Sequence, residues 1–501
     1  MRLAAEMYVK SQIRLLDQFR MQAVAMQYKT LSDLLKSNTQ VEYLKTFALK
    51  KLTYSEFSSK VPIVNYEALK PFIFRMLKGE QKLLCTEDVH FFAKSSGTTD
   101  VSKYLPLTLS GIYRGHFLAS RHLLASYFER FPKNQIFSGK HFSISGSMQP
   151  WPDNPKVNTG DISALLTYNI PKWIQLLRSP RLEVALMKNW DEKIQAIITQ
   201  IHRENITGMS GAPSWLLEIL KNLRDKYCQN GVYELWENFE LLIYGGMHFK
   251  PYQSSIERMI GRKINYINAY NVLSEGFFGF SDTADHENLL LLPAHGVFFE
   301  FRAINNTEDI VPLEGVNTNI IYELIITTNN GLWRYALGDT VRFVSVAPYR
   351  FVIEGRTKHF INVAGEELMV FNAENAISLT CKNLGCEVNE FSAAPLELPD
   401  GSFCHEWFIE FENDNVNTQQ FGKTLDENLQ KINSDYRAKR EGNRLLKPPK
   451  IIHVYKGFFR KWLEINEKLG AQHKVPRLAN HRSYADEFHK LLKDLADNKQ
   501  F

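Results

Sequence analysis

The chain of 501 residues is poor in cysteine. Its five cysteines, Cys85, Cys228, Cys381, Cys386 and Cys404, are odd in number, scattered along the chain and never arranged as a CxxC pair. Such a set in a chain of this size argues against a disulfide framework and against a zinc site of the usual spacing. We therefore expect a protein of a reducing compartment, the cytoplasm.

Long apolar runs and dense runs of one charge are also missing. No stretch is long and apolar enough to span a bilayer, which predicts a soluble protein with no membrane partner. The amino-terminal MRLAAEMYVKSQIRLLDQFR mixes acids and bases, which indicates an amphipathic helix packed on the body and not a signal peptide. Lys and Arg number 60 against 55 Asp and Glu, without a basic cluster, so nucleic acid is not an expected partner. An anionic small molecule needs only a local positive site.

The hydrophobic content of 44%, with 12% aromatic residues, is ample for folded cores, and the length predicts two or more domains. In the first two-thirds, strand-like apolar runs alternate with helical periodicity. The strand-like runs are 141–147, 240–246, 264–270 and 322–328, and helical patterns begin at 191 and 213. This alternation predicts an α/β domain with mixed, mostly parallel sheets flanked by helices.

The final third of the chain has a different pattern of apolar and polar residues. An amphipathic segment near 373–384 is followed by the strand-like 405–412 and by a charged helical pattern near 422–441. This order predicts a smaller α+β domain with an antiparallel sheet. We place the domain boundary near Arg356, which gives a large domain of residues 1–355 and a small one of residues 356–501.

The stretch KSSGTTDVSKYLP, from Lys94 to Pro106, gathers small hydroxyl residues around one glycine and ends in a lone lysine. Small residues let the backbone turn tightly and aim its N–H groups in one direction, which suits phosphate oxygens. The alternative is a polar turn between two packed elements. The GxxxxGK[ST] pattern is absent around Lys103, which excludes a Walker-type phosphate loop.

Three further stretches carry candidate chemistry. Glu275 follows a strand in AYNVLSEGFFGF and can hold Mg²⁺, although a salt-bridged acid would look the same. Asp339 follows a glycine in GLWRYALGDTVRF, where we predict a tight turn; it can accept ribose hydroxyls or simply close an Asx-turn. Lys474, in KLGAQHKVPRLAN, can reach a carboxylate and a phosphate together or serve only as a solvated surface lysine.

A phosphate loop, a Glu, an Asp, a GRTK segment at 355–358 and a late lysine, in this order, resemble the ANL superfamily of acyl-adenylating enzymes. The local sequences SSGTT, YNVLSEG, LWRYALGDTV and GAQHKVPR resemble motifs of one branch of it, the acyl acid amido synthetases of the auxin-responsive-promoter (Gretchen Hagen) family. Similar segments at 160–173, 243–252 and 405–412 extend the resemblance over nearly the whole chain. The chain looks more like bacterial members of the family than like plant members.

The resemblance implies an enzyme that uses ATP and Mg²⁺ to activate a small carboxylic acid as acyl-AMP and then transfers the acyl group to the amine of an amino acid. It implies that Lys103 and Lys474 neutralise charge during adenylation and that Glu275 anchors the metal. The remaining nucleotide-binding residues it implies are Ser95, Ser96, Gly97, Thr98 and Thr99 for the phosphates, Gly245, Gly246, Met247 and Tyr270 for adenine, and Asp339 and Arg356 for ribose.

The acid pocket is implied by position alone, with small and aromatic residues that would suit an aryl or modest hydrophobic acid. Its residues are Ser143, Ser147, Ser210, Gly211 and Trp215, each of which could equally be ordinary core packing. The GRTK segment is the implied hinge of a mobile small domain that carries Lys474.

Two other functions stay open from the sequence. The acyl group could pass to the thiol of coenzyme A, as in aryl-CoA ligases, or the chain could be a nucleotide-binding relative whose catalysis has lapsed. One departure from the adenylating pattern bears on the second alternative. Where many such loops carry another glycine before the lysine, this chain has Asp100, Val101 and Ser102.

Overall fold

The computed structural model describes most of the chain. The described residues are 2–95, 103–246, 249–272, 275–304, 306–356, 360–361, 363, 366, 368–399, 402–413, 415–440, 446–466 and 475–497. Contacts divide the chain into two compact units. The larger consists of Met1–Met247, Ser255–Leu337 and Val341–Val352, and the smaller of His248–Ser254, Gly338–Thr340 and Ile353–Phe501.

The helices that flank the sheets of the larger unit follow from apolar positions repeating every three or four residues. They are α1 (Arg2–Lys10), α2 (Ile13–Asn38), α3 (Glu42–Lys45), α4 (Tyr54–Lys60), α5 (Tyr66–Leu77), α6 (Leu118–Arg130), α7 (Ile162–Asn169), α8 (Lys172–Gln175), α9 (Leu182–Ala185), α10 (Trp190–Ile201), α11 (Pro213–Tyr227) and α12 (Lys250–Ile260), the last beginning within 248–254. A π-helical turn, Gly111–Phe117, leads directly into α6, and 3₁₀ turns lie at Val232–Glu234 and Leu313–Gly315. The helices predicted from 191 and 213 are confirmed as α10 and α11.

A four-stranded sheet has the order β2-β1-β5-β4. Its strands are β1 (Phe91–Ser95), β2 (Lys103–Leu107), β4 (Met148–Trp151) and β5 (Asn154–Gly160). β1 is antiparallel to β2 and parallel to β5. We call this the small sheet.

A twelve-stranded sheet has the order β13-β12-β14-β15-β16-β11-β10-β9-β8-β7-β3-β6. Its strands are β3 (Lys140–Ser143), β6 (Arg178–Ser179), β7 (Ile206–Gly211), β8 (Leu241–Tyr244), β9 (Asn265–Val272), β10 (Gly276–Phe280), β11 (Leu289–Leu291), β12 (Val297–Ala303), β13 (Ile310–Pro312), β14 (Ile321–Thr328), β15 (Tyr335–Val346) and β16 (Tyr349–Arg356). We call it the large sheet.

The mixed sheets are confirmed, but the large sheet is not mostly parallel. Parallel pairing is described for β6, β3, β7, β8 and β9, whereas the pairs β9–β10, β10–β11, β11–β16, β12–β13 and β12–β14 are antiparallel. The direction reverses where β9 and β10 form a hairpin with Val272 opposite Gly276. Helices connect the parallel strands, whereas a short turn can join only antiparallel strands.

The smaller unit contains a three-stranded sheet and its helices. Its elements are β17 (Phe360–Ile361), β18 (Leu368–Met369), α13 (Val370–Leu384), β19 (Val388–Glu397), β20 (Phe403–Phe411), α14 (Thr418–Ile432), α15 (Ser434–Arg440), β21 (Lys450–Val454), α16 (Phe458–Ile465) and α17 (Ser483–Asp497). β19 and β20 are antiparallel as predicted, but β21 is parallel to β20. Two helices separate β20 from β21, and a crossover of that kind returns the chain in the same direction.

The predicted boundary near Arg356 lies close to Ile353, where the continuous part of the smaller unit begins. Contacts also assign the short segments 248–254 and 338–340 to the smaller unit. Nothing in the sequence of these segments indicates that they belong to it. Among the described residues, no helix combines the length and apolar character needed to cross a bilayer.

Candidate active site

The predicted phosphate loop connects β1 and β2. Ser95 and Lys103 stand opposite each other in the hairpin, so residues 96–102 form its connection. Ser96, Gly97, Thr98 and Thr99 lie outside the described residues, as does the side chain of Ser95. Lys103 is half-buried, with its Nζ 5.5 Å from the ring centroid of Tyr66. The two arms of the hairpin therefore fix where the loop begins and ends.

Five of the predicted acid and adenine residues lie at one edge of the large sheet. Strands β3, β7, β8 and β9 are neighbours and run parallel, with Ser143 opposite Ser210 and Gly211 opposite Tyr244. In open α/β sheets, ligands bind at the carboxyl ends of such strands. Ser143, Ser210, Gly211, Gly245 and Gly246 all lie at this carboxyl edge, and none of the five is fully buried.

The glycine pair that follows β8 has a steric cause. A Cβ at Gly245 would overlap the carbonyl oxygen of Ala269 on β9, so no side chain fits there. Gly246 adopts a φ of +77°, a region that favours glycine. Met247, predicted to complete the adenine slot, lies outside the described residues. The backbone after β8 can therefore approach β9, or a flat ligand, more closely than other residues allow.

Tyr270, on β9, is predicted to stack on the adenine base. Its side chain is only 6% exposed, and its ring makes edge contacts with Phe278 and Phe351 at centroid distances of 5.5 and 5.8 Å. These are the contacts of a core aromatic residue. The adenine role of Tyr270 stays a prediction.

Glu275 lies in the turn between β9 and β10 and is half-buried. A Cβ on the following residue, Gly276, would lie 2.7 Å from the Phe278 ring, so the turn needs glycine beside the acid. The described residues contain no cluster of three or more His, Cys, Asp or Glu side chains of the kind that holds a metal unaided. Mg²⁺ is commonly held by one or two carboxylates together with substrate phosphates and water, and the carboxylate of Glu275 fits that donor set.

Asp339 does not lie in a turn, which corrects the sequence prediction. It is a residue of β15, 4% exposed, and contacts place it in the smaller unit. Gly338 before it has a φ of +84°, so the glycine distorts the strand locally and does not end it. Arg356, predicted to assist at the ribose, is the last residue of β16, and its side chain lies outside the described residues.

Lys474 lies outside the described residues, but the chain that follows it is anchored within the smaller unit. Ser392 Oγ donates a hydrogen bond to the carbonyl oxygen of Pro476 at 2.6 Å. Ala393 on β19 donates to the carbonyl oxygen of Arg477 at 2.9 Å and accepts from the N–H of Ala479 at 3.1 Å. The segment after the lysine thus extends beside β19.

The predicted acid pocket contains contacts that the sequence did not reveal. Trp215 packs its ring against Trp190 at a centroid distance of 4.2 Å. Arg178 Nη2 donates to Ser143 Oγ at 3.2 Å, and the N–H of Ser147 donates to Asp161 Oδ2 at 3.0 Å. Ser143 and Ser147 are therefore hydrogen-bonded to charged side chains, of which Arg178 is buried and Asp161 is half-buried.

Three charged residues near the predicted acid pocket, Arg178, Asp161 and Lys193, were not predicted from the sequence. Burial raises the pKa of Asp161 to about 6 and lowers the pKa of Lys193 to about 8 and that of Arg178 to about 10. Only Lys193 carried a usable signal. It lies on the apolar face of α10, in register with Trp190 and Ile197, where a charge is unusual.

Family comparisons cover most of the chain. Residues 12–264 match the GH3 family N-terminal domain, residues 290–356 its central domain and residues 371–483 its C-terminal domain. The chain is 22% identical to indole-3-acetic acid-amido synthetase GH3.3 of Arabidopsis thaliana, over 93% of this chain and 91% of that protein. It is 24% identical to 4-substituted benzoates-glutamate ligase GH3.12 of the same plant, over 74% of this chain and 76% of that protein.

Solved structures agree on the fold. The GH3.15 acyl acid amido synthetase superposes with a TM-score of 0.80, at 18% identity, over 97% of this chain and 95% of that one. A 2-hydroxyisobutyryl-CoA ligase in its postadenylation state superposes with a TM-score of 0.57, at 11% identity, over 95% and 91%. Both superpositions therefore show that this chain shares its fold with these two proteins. With its N-terminal family domain alone spanning more than half of the residues, the chain belongs to the GH3 family.

Proposed function

We propose that this protein is an ATP-dependent acyl acid amido synthetase, which adenylates a small carboxylic acid and transfers the acyl group to the amine of an amino acid. The observation that carries the proposal is that five of the residues predicted for the acid and the adenine lie at the carboxyl edge of β3, β7, β8 and β9: Ser143, Ser210, Gly211, Gly245 and Gly246. Membership of a family whose relatives are named as acid–amino acid ligases supports the same reaction.

In the first half-reaction, an oxygen of the acid attacks the α-phosphorus of ATP, the bond to the bridging oxygen breaks, and pyrophosphate leaves. Negative charge accumulates on the phosphate oxygens, and positively charged groups fixed nearby stabilise it. We assign the neutralisation of this charge to two lysines, Lys103 at the start of β2 and Lys474. Mg²⁺, held by Glu275, would neutralise phosphate charge when bound.

In the second half-reaction, the amine nitrogen attacks the acyl carbonyl carbon, the carbon–oxygen bond to AMP breaks, and AMP leaves with the electron pair. The amine releases a proton as the amide forms. Asp339 is assigned to the ribose hydroxyls in both steps, since a carboxylate accepts two hydrogen bonds in a fixed geometry.

The test is pyrophosphate release with ATP and Mg²⁺ across a panel of acids, followed by identification of the product with each amino acid and with coenzyme A. Indole-3-acetate and 4-substituted benzoates head the panel, because relatives are named for them. Acid-dependent release with AMP and an amide as products would support the proposal. A thioester product would replace it with the CoA-ligase function, and ATP binding without acid-dependent release would favour the lapsed relative.

The assignment of Lys474 has its own test. Lys474→Ala is expected to abolish adenylation yet leave aminolysis of a supplied acyl-adenylate largely intact, because the lysine acts on the α-phosphate only in the first step. Equal loss of both half-reactions would overturn the assignment.

A further inference from the structure

The segment Ser145–Ser147, which leads from β3 to β4, has its backbone bonded to two charged side chains, of which Lys193 is buried and Asp161 is half-buried. Lys193 Nζ donates to the carbonyl oxygens of Ser145 and Gly146, at 2.8 and 2.9 Å. Asp161 Oδ2 accepts from the N–H of Ser147 at 3.0 Å, and the Asp161 N–H donates back to the Ser147 carbonyl at 3.0 Å. Lys193 thus holds Ser145 and Gly146, and Asp161 holds Ser147, so that all three residues of the segment are bonded through their backbone.

Neighbouring contacts leave this segment little freedom. The N–H of Gly146 donates to Ser163 Oγ at 3.0 Å, and Ser145 Oγ donates to the carbonyl oxygen of Ala185 at 2.9 Å. A Cβ at Gly146 would overlap the Asp161 carboxylate. Glycine is therefore required for the carboxylate to reach the Ser147 N–H.

Burying the charge of Lys193 is unfavourable for the free energy of folding. Lys193 is 1% exposed, and removing an ammonium group from water costs several kcal/mol that its hydrogen bonds only partly return. An apolar side chain at this position of α10 would avoid that cost. A buried charge of this kind is more easily understood as a means of fixing one backbone conformation than as a source of stability.

The segment begins at the carboxyl end of β3, where Ser143 and Ser147 are predicted to line the acid pocket. We propose that Lys193 and Asp161 are positioning residues for the acid substrate, which fix Ser145–Ser147 and through it one wall of that pocket. This inference rests on the proposed function for the identity of the ligand, but the fixed segment itself does not.

Three variants and one matched control test the proposal. Lys193→Met keeps the side-chain length and removes the charge, Lys193→Gln keeps one donor, and Asp161→Asn keeps an acceptor. The control is Lys140→Met, because Lys140 lies at the start of β3, the strand that leads into the segment, and its Nζ pairs with Glu204 Oε1 at 2.7 Å while 38% exposed. The control thus makes the same lysine-to-methionine change away from the carboxyl edge.

The first readout is the Michaelis constant of each substrate in wild type and variants. Lys193→Met is expected to raise KM for the acid roughly tenfold to a hundredfold, the scale of a lost hydrogen bond to a charged group, with Lys193→Gln between it and wild type. KM for ATP is expected to change less than about twofold, and the control to change neither. Equal changes in both KM values, or none, would overturn the proposal.

The second readout is amide hydrogen exchange at residues 145–147 without substrate. Faster exchange in the Lys193 variants, with unchanged exchange in the control, is expected whether or not the acid is known. Unchanged exchange would overturn the proposal. If Lys193→Met fails to fold, Lys193→Gln and Asp161→Asn decide by the same criteria. If the wild type releases no pyrophosphate with any acid, the proposed function fails, and the exchange data still decide whether the segment is fixed as stated.

Discussion

Replacing Arg334 by methionine is expected to destabilise the larger unit strongly and in a pH-dependent way. Arg334 donates from Nε and Nη2 to the two carboxylate oxygens of Glu300 at 2.9 and 2.8 Å. Its Nη1 donates to the carbonyl oxygens of Ser58 and Val61, both at 2.7 Å. The side chains of Arg334 and Glu300 are 7% and 1% exposed, so the variant would leave a buried carboxylate without its cation.

The magnitude follows from what Glu300 can do instead. Removing one partner of a buried ion pair typically costs about 3–5 kcal/mol. The carboxylate can escape by binding a proton, and since an unfolded glutamic acid titrates near 4.3, this costs roughly 4 kcal/mol at pH 7 but only about 1 at pH 5. The two carbonyl groups that lose Nη1 add roughly 1–3 kcal/mol at either pH. We expect a total loss of about 5 kcal/mol at pH 7 and about 3 at pH 5.

Urea denaturation of the larger unit at both pH values measures the effect. The matched control is Arg302→Met, whose partner is Glu323 on the neighbouring strand; this pair is more open to solvent, with side chains 26% and 10% exposed. That variant is expected to cost less, about 1–2 kcal/mol, and to depend less on pH, because solvent reaches the arginine. The double variant Glu300→Gln, Arg334→Met should regain stability at pH 7. A loss below about 1 kcal/mol for Arg334→Met, or the same loss at both pH values, would refute the reasoning.

Three further outcomes are expected. Burial lowers the pKa of His116 and of His141 to about 4. As the pH falls from 6.5 to 4, the unfolded chain therefore binds protons before the folded chain does, and the free energy of unfolding should fall by up to about 3 kcal/mol per histidine. A free energy of unfolding that stays constant over this pH range would contradict this. Lys103→Met should lower the rate of acid-dependent pyrophosphate release roughly a hundredfold, and an unchanged rate would remove Lys103 from the site. Gly245→Ala should weaken ATP binding measured by calorimetry, whereas Gly115→Ala, where a Cβ meets nothing closer than 3.6 Å, should not.

Much of the fold could be predicted because its signals are local. The helix from Pro213 has a proline at its first turn and an apolar stripe, and it begins at the predicted residue. The turn that presents Glu275 was likewise visible as a strand, a polar turn and a glycine. Family resemblance supplied the order of the site motifs, and the strand register then brought several of them to one edge.

Features that depend on distant residues were not predictable from the sequence. The sequence around Gly338 is typical of a turn, but β15 continues through this residue. Only the pairing with neighbouring strands decides between a turn and a continuous strand. The parallel direction of β21 depends on how α14 and α15 cross the sheet. The charge of Lys193 on an apolar helix face was visible in the sequence, but its partners were not, because the carbonyls of Ser145 and Gly146 are backbone atoms with no side-chain signature.

The hairpin between β9 and β10 divides the large sheet into two regions with different tolerance to engineering. On the parallel side, each loop at the carboxyl edge leads from a strand toward the predicted site, so added residues there would disturb the reaction. On the antiparallel side, several connections join neighbouring strands directly, among them the turn between β12 and β13, which is exposed at Asn306 and Glu308. Affinity tags, fluorescent labels or whole inserted domains placed in that turn should leave the chemistry unchanged, which makes it the natural attachment point for studying this enzyme on a surface or in a fusion.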